Sequence, residues 1–134
     1  MKQIIERIKQ SWYSNPPCNQ QVMLSLENLF PLPNDYKEFM LWSNGGEGNI
    51  GSQYLSLWKI EDVMQQNNDY QIQKYLSEKS LAIGTDGGDN CIGFYFGESI
   101  TLFLQPLGDL DLSENRFLSS SFTDLFIDWL RIRE

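Results

Sequence analysis

Residues 81–105 read LAIGTDGGDNCIGFYFGESITLFLQ. Three short runs rich in β-branched and aromatic residues, at 81–84, 91–96 and 100–105, are separated by Asp86-Gly87-Gly88-Asp89-Asn90 and by Gly97-Glu98-Ser99. Both separators are built from residues that tolerate positive φ, so the pattern predicts consecutive hairpins in one antiparallel meander. Downstream, residues 115–119 read as an edge strand. Ser121 with Asp124 has the spacing of a capping box opening a last helix. In it Phe122, Leu125, Phe126, Trp129 and Leu130 form one apolar stripe, and Arg131 and Arg133 sit at the negative end of the dipole.

Upstream the period is helical. Residues 1–13 place Ile4, Ile8 and Trp12 on one face, and Pro16-Pro17 ends the segment. A second helix is expected over residues 19–30 with Val22, Leu26, Leu29 and Phe30 at helical spacing, stopped by Pro31-Leu32-Pro33. A third starts near Pro33 or Asn34, with Tyr36, Phe39, Met40 and Ser43 on one face and Asn44-Gly45-Gly46 as its stop. Residues 45–52 read as a glycine-rich connection and 54–58 as a short strand. Residues 60–66 read as helix, with Asn67-Asn68-Asp69 loosening the chain before another turn or two over 70–76. The expected fold is α+β: a central antiparallel meander packed by N-terminal helices and a closing C-terminal helix, in one domain over residues 1–134.

Composition narrows the function. A 134-residue chain of 15.6 kDa, 41% apolar and 21% charged, is long enough for a packed core without disulfide or metal staples. It contains no histidine, which removes Ser-His-Asp and Cys-His nucleophile systems, imidazole bases and nearly all catalytic zinc sites. Cys18 and Cys91 form no CxxC pair and are expected to be small buried hydrophobes in a reducing compartment. Neither a signal-peptide core nor a membrane span is evident, so the chain reads as cytosolic. Net charge is −8, and the segment from Asp86 to Asp128, with eight acids against Arg116 alone, holds −7 of it. That sign opposes direct nucleic-acid binding and permits a basic protein partner.

Several local patterns have a plain reading. Residues 46–51 match G-x-G-x-x-G, but a helical segment precedes them and a strand follows, the reverse of a dinucleotide site. Asp109-x-Asp111-x-Ser113 starts like a calcium loop, yet Glu114 replaces the bend glycine and Ser120 the bidentate glutamate. Asp86 and Asp89 could be an acid–base pair, but that work needs burial or a partner, and a hairpin tip is wet and explains both residues as turn formers. No catalytic residue, metal ligand or cofactor is expected. Trp42 falls off the Tyr36/Phe39/Met40 stripe, and two readings stand: an exposed interface anchor, or part of a broad buried face.

The order of motifs is more specific than any one of them. Leu26-Glu27 ends a helix, then come Leu32-Pro33-Asn34-Asp35-Tyr36-Lys37-Glu38-Phe39, Asn44-Gly45-Gly46, Tyr54-Leu55-Ser56-Leu57-Trp58-Lys59-Ile60-Glu61-Asp62 and Ile83-Gly84-Thr85-Asp86-Gly87-Gly88. From about Val22 to Trp129 this resembles the Smi1/Knr4 family of the SUKH superfamily. The resemblance implies an α+β fold and a non-enzymatic, protein-binding role. Bacterial members are typically immunity proteins that neutralise a polymorphic toxin, often a nuclease; fungal relatives are regulatory modules, usually within longer chains. A stand-alone domain fits the bacterial type, so a cognate, basic toxin is the expected partner, with a regulatory or scaffolding role as the alternative. Charge and turn position select Asp86, Asp89, Glu98, Asp109 and Asp111 as candidate contacts, with Trp42 and Tyr54 as aromatic anchors. Nothing such as a heptad seam demands a dimer, and a monomer is expected.

Overall fold

The computed structural model describes residues 1–132. Seven strands form one antiparallel sheet in sequence order: β1 (Trp12–Tyr13), β2 (Gly46–Ile50), β3 (Gln53–Leu57), β4 (Ser80–Thr85), β5 (Asn90–Phe96), β6 (Ile100–Pro106) and β7 (Arg116–Ser119). The helices are α1 (Lys2–Ile8), α2 (Gln20–Glu27), α3 (Asn34–Trp42), α4 (Ile60–Tyr70), α5 (Ile72–Tyr75) and α6 (Phe122–Ile132). The α+β meander predicted from residues 81–105 is the fold observed, with both predicted hairpins in place. No helix among the described residues is long and apolar enough to cross a membrane.

Strand alternation gives the sheet two unlike faces. On one face Leu55, Ile92, Phe94, Leu102 and Leu104 meet α1, α2, α3 and α6 in the main core. Aromatic edges interlock there: Tyr36 and Phe39 of α3 both meet Phe122 edge-on, at 5.4 and 5.6 Å. Asp35 fastens the same two helices, since its carboxylate accepts from the Thr123 N–H (2.9 Å) and hydroxyl (2.8 Å). The Ser121 hydroxyl accepts from the Asp124 N–H at 3.0 Å, so the predicted cap opens α6. Arg131 lies in its last turn, and Arg133 lies outside the described residues. On the other face α5 covers only part of β4–β6, where Ile72 and Leu76 pack on Ala82, Cys91 and Phe103.

Three expectations are corrected. The first helix stops at Ile8, because the Ser11 hydroxyl bonds back to the Ile8 carbonyl (3.1 Å) and across to that of Asn49 (3.1 Å). Trp12 and Tyr13 therefore form a strand, and Trp12 reaches the core from there, edge-on to Phe39. Second, residues 46–50 are strand β2 instead of a loose connection. Pairing on both sides, with β1 and β3, supplies what a glycine-rich sequence lacks in β propensity.

Third, the helix at Ile60 runs through Asn67-Asn68-Asp69 to Tyr70. Strands β3 and β4 pair only at Ser56↔Thr85 and Leu57↔Gly84, then diverge and leave the outer edge of β4 open. Asn67, fully buried, fills the gap: its amide nitrogen donates to the Ala82 carbonyl (2.8 Å) and its oxygen accepts from the Ala82 N–H (2.9 Å). Gln73 continues the substitution by donating to the Ser80 carbonyl at 2.7 Å. Two side-chain amides thus stand in for a missing strand.

Candidate functional site

The turn from Asp86 to Asp89 is fixed by its own side chains. Asp86 accepts from the Gly88 N–H (3.0 Å) and from the Asn90 amide (2.8 Å), while the Thr85 hydroxyl accepts from the Gly87 N–H (3.2 Å). Gly87 adopts φ +84°, and a Cβ there would lie 2.6 Å from the Tyr54 ring, so the turn and the tyrosine pack directly. Strand antiparallelism brings the β6–β7 connection to the same end of the sheet. The Leu107 N–H donates to the Asp89 carbonyl at 2.7 Å, joining the two loops.

Buried Gln105 organises that second loop. Its amide nitrogen donates to the carbonyls of Asp109 (3.3 Å) and Asp111 (2.9 Å), and its oxygen accepts from Asn115 (3.0 Å). The Asp111 carboxylate accepts from the Ser113 N–H at 3.0 Å and caps the 3-10 turn Leu112–Glu114. That bond holds the Asp111 carboxyl below the usual range. Asp86, Asp89, Asp109 and Asp111 are thereby gathered at one sheet end on two braced loops. Among the described residues none of the four pairs with a basic side chain. No group of three or more His, Cys, Asp or Glu among these residues is placed to hold a metal ion.

Tyr54 borders this acidic end on the face opposite Leu55. Its hydroxyl donates to the Glu47 carboxylate of β2, and this bond raises the Tyr54 pKa. Tyr13, 77% exposed, pairs with Glu47 across the β1–β2 ladder and shares that face. Sequence reading missed Glu47 and Tyr13 because it placed one in a connection and the other in a helix. The alternation of Glu47 and Asn49 outward with Gly48 and Ile50 inward was the available signal.

The other two candidates lie elsewhere. Glu98 caps the β5–β6 turn, a seven-residue strand away and so about 20 Å from the acidic end. Trp42 is half-buried on the helix-covered face, edge-on to Phe39 at 5.3 Å, where it borders the main core. Both cysteines are buried and unpaired. Burial pushes Cys91 up to about 12 and raises Cys18 as well, so neither is a thiolate at neutral pH.

The motifs that resembled a family turn out to hold the fold together. Asn44 accepts from the Ile60 N–H (2.8 Å) and donates to Glu61 (2.7 Å), capping α4 from the far end of α3. Gly45 has φ +71°, and a Cβ there would lie 2.6 Å from the Leu57 carbonyl oxygen. Gly46 lets the Trp12 indole close over the same corner. A model described as SMI1 / KNR4 family (SUKH-1) matches residues 17–128, which include Asn44, Gly45, Gly46, Leu57, Ile60 and Glu61. No curated protein matches the chain. With most of its length matched, and with the fold's corners built from the motif residues, the chain belongs to the SMI1/KNR4 (SUKH-1) family.

Proposed function

We propose that this chain is a non-enzymatic immunity protein that binds and neutralises a cognate toxin through the acidic end of its sheet. The observation that carries the reading is the gathering of Asp86, Asp89, Asp109 and Asp111, without ion-pair partners among the described residues, on two hydrogen-bonded loops. Braced loops lose little entropy on docking, and unpaired carboxylates attract a positive surface. An effector acting on nucleic acid fits, because its own substrate cleft must be basic to hold phosphates. The aromatic anchor at the rim is Tyr54. Glu98 and Trp42 stand apart from this surface and are not part of the proposed contact.

The test is affinity capture from the native organism, washed at low and at high salt, with wild type and an Asp86→Asn/Asp89→Asn/Asp109→Asn/Asp111→Asn variant. Asparagine keeps the Oδ1 acceptors of the Asp86 turn and the Asp111 cap and gives up only the bond from Asn90, so with the fold checked by circular dichroism the variant reports on charge. The reading expects one basic protein held by wild type, depleted on the variant, and toxic to cells unless this chain is co-expressed. A salt-labile, non-toxic host protein captured instead would move the assignment to the regulatory alternative.

A further inference from the structure

At the corner formed by β1, β2 and β3, two tyrosines flank a carboxylate on the open side of the sheet. Tyr13 stands directly opposite Glu47, and Tyr54 opposite Asn49. Strand alternation turns all four side chains away from the main core. Tyr54 reaches diagonally to Glu47, and its hydroxyl donates to Oε1, leaving Oε2 without a hydrogen bond among the described residues. The same ring rests on Gly87, so the carboxylate is steadied from the Asp86–Asp89 turn. Tyr13 lies near enough to act on the Tyr54 hydroxyl and add to the rise in its pKa. A groove of about 280 Å³ runs between the two tyrosines, with Gln10, Ser11 and Asn49 also in its walls. Among the described residues no basic side chain pairs with Glu47. Lys9, next along the chain from Gln10, turns instead to Glu6 at 2.8 Å.

We propose that this groove is an arginine-binding site, in which a guanidinium lies against the Tyr13 and Tyr54 rings and donates to the Glu47 carboxylate. Tyrosine faces attract a cation, and the adjacent carboxylate adds charge and direction. Arginine fits better than lysine, because its plane stacks on a ring while its fork meets a carboxylate. The groove is smaller than those that enclose drug-sized ligands, a size for one side chain of a protein. Glu47 is already held by Tyr54, so little order is lost when the cation arrives. That the arginine belongs to a basic toxin rests on the function proposed above, whose acidic surface Tyr54 joins to this groove. The preference for a guanidinium does not rest on it and is tested separately.

The probe is N-acetyl-arginine amide, titrated into the isotope-labelled chain and followed by amide NMR in about 150 mM salt, where distant charges are screened. N-acetyl-citrulline amide is the uncharged isostere. Saturable shifts are expected at Tyr13, Glu47, Asn49 and Tyr54, with a dissociation constant on the order of 1–10 mM. The citrulline compound should produce none. Glu47→Gln keeps an acceptor for the Tyr54 hydroxyl, and Tyr13→Leu changes an exposed ring. Each should weaken binding by about threefold or more while circular dichroism and thermal midpoint match wild type. Phe117→Leu, on a distant strand, should leave binding unchanged. The Asp86→Asn/Asp89→Asn/Asp109→Asn/Asp111→Asn variant should still bind the probe here, so failure of this site and failure of the functional reading are told apart. Absence of saturable shifts at these residues overturns the proposal. So do equal shifts with citrulline, or undiminished binding by Glu47→Gln.

Discussion

Asn67 shows how one side chain decides where a sheet can open. In sequence it sits in a polar triplet that suggests fraying, and nothing local says otherwise. In the structure it is fully buried and satisfies both backbone groups of Ala82, with a further bond from its amide to the Val63 carbonyl at 2.7 Å. Its importance depends on a strand fifteen positions away, which periodicity cannot reveal. Asn67→Ala leaves a buried N–H and C=O without partners, and each such orphan costs about 1–3 kcal/mol. Urea unfolding should show a loss of roughly 2–4 kcal/mol for this variant. A loss below about 0.5 kcal/mol, in the range of ordinary surface substitutions, would mean that Asn67 does not close the β4 edge.

Among the elements, those with a clean period were legible and those held by distant partners were not. Strands β4, β5 and β6 alternate or run apolar between turn residues, and α6 has a full stripe and a cap, so both were readable in place. Strand β2, GEGNI, has almost no strand propensity and exists because β1 and β3 flank it. The end of α3 and the start of α4 depend on each other in the same way. Lys59, the residue before α4, offers no side-chain cap, and Asn44 supplies one from sixteen positions upstream. Asn44→Ala should therefore cost about 1–2 kcal/mol by chemical denaturation, as for other lost caps. A second bond from Asn44, its amide nitrogen donating to the Glu61 carboxylate at 2.7 Å, holds the Glu61 carboxyl below its usual range. A carboxylate with a depressed folded pKa adds stability above its unfolded value, near 4.3, and loses it as pH falls through the folded one. The stability difference between neutral pH and pH 3 should thus be smaller in Asn44→Ala than in wild type. An equal difference in both would remove Asn44 as the cause.

For the whole molecule, topology does what composition could only suggest. The acidic excess after Asp86 was visible as a count, but a count does not say which carboxylates share a surface. The meander divides them, with the β4–β5 turn and the β6–β7 connection at one end and Glu98 at the other. Tyr54 could be assigned to the acidic end only once β3 was known to lie beside β4, with its ring on Gly87. The family motifs marked the corners of the fold; of the residues proposed to meet a partner, Asp86 and Tyr54 lie within them and Asp89, Asp109 and Asp111 outside.

The most direct test of the acidic surface is the association rate between this protein and its captured basic partner, measured by stopped flow at about 50 and 500 mM salt. Those conditions span strong and weak screening at the distances involved. Electrostatic capture by the four carboxylates predicts a wild-type rate constant that falls at least tenfold with salt. For the Asp86→Asn/Asp89→Asn/Asp109→Asn/Asp111→Asn variant it predicts a rate already low at about 50 mM and nearly indifferent to salt. Equal rates and equal salt slopes for the two proteins would contradict it and place the binding surface elsewhere on the fold.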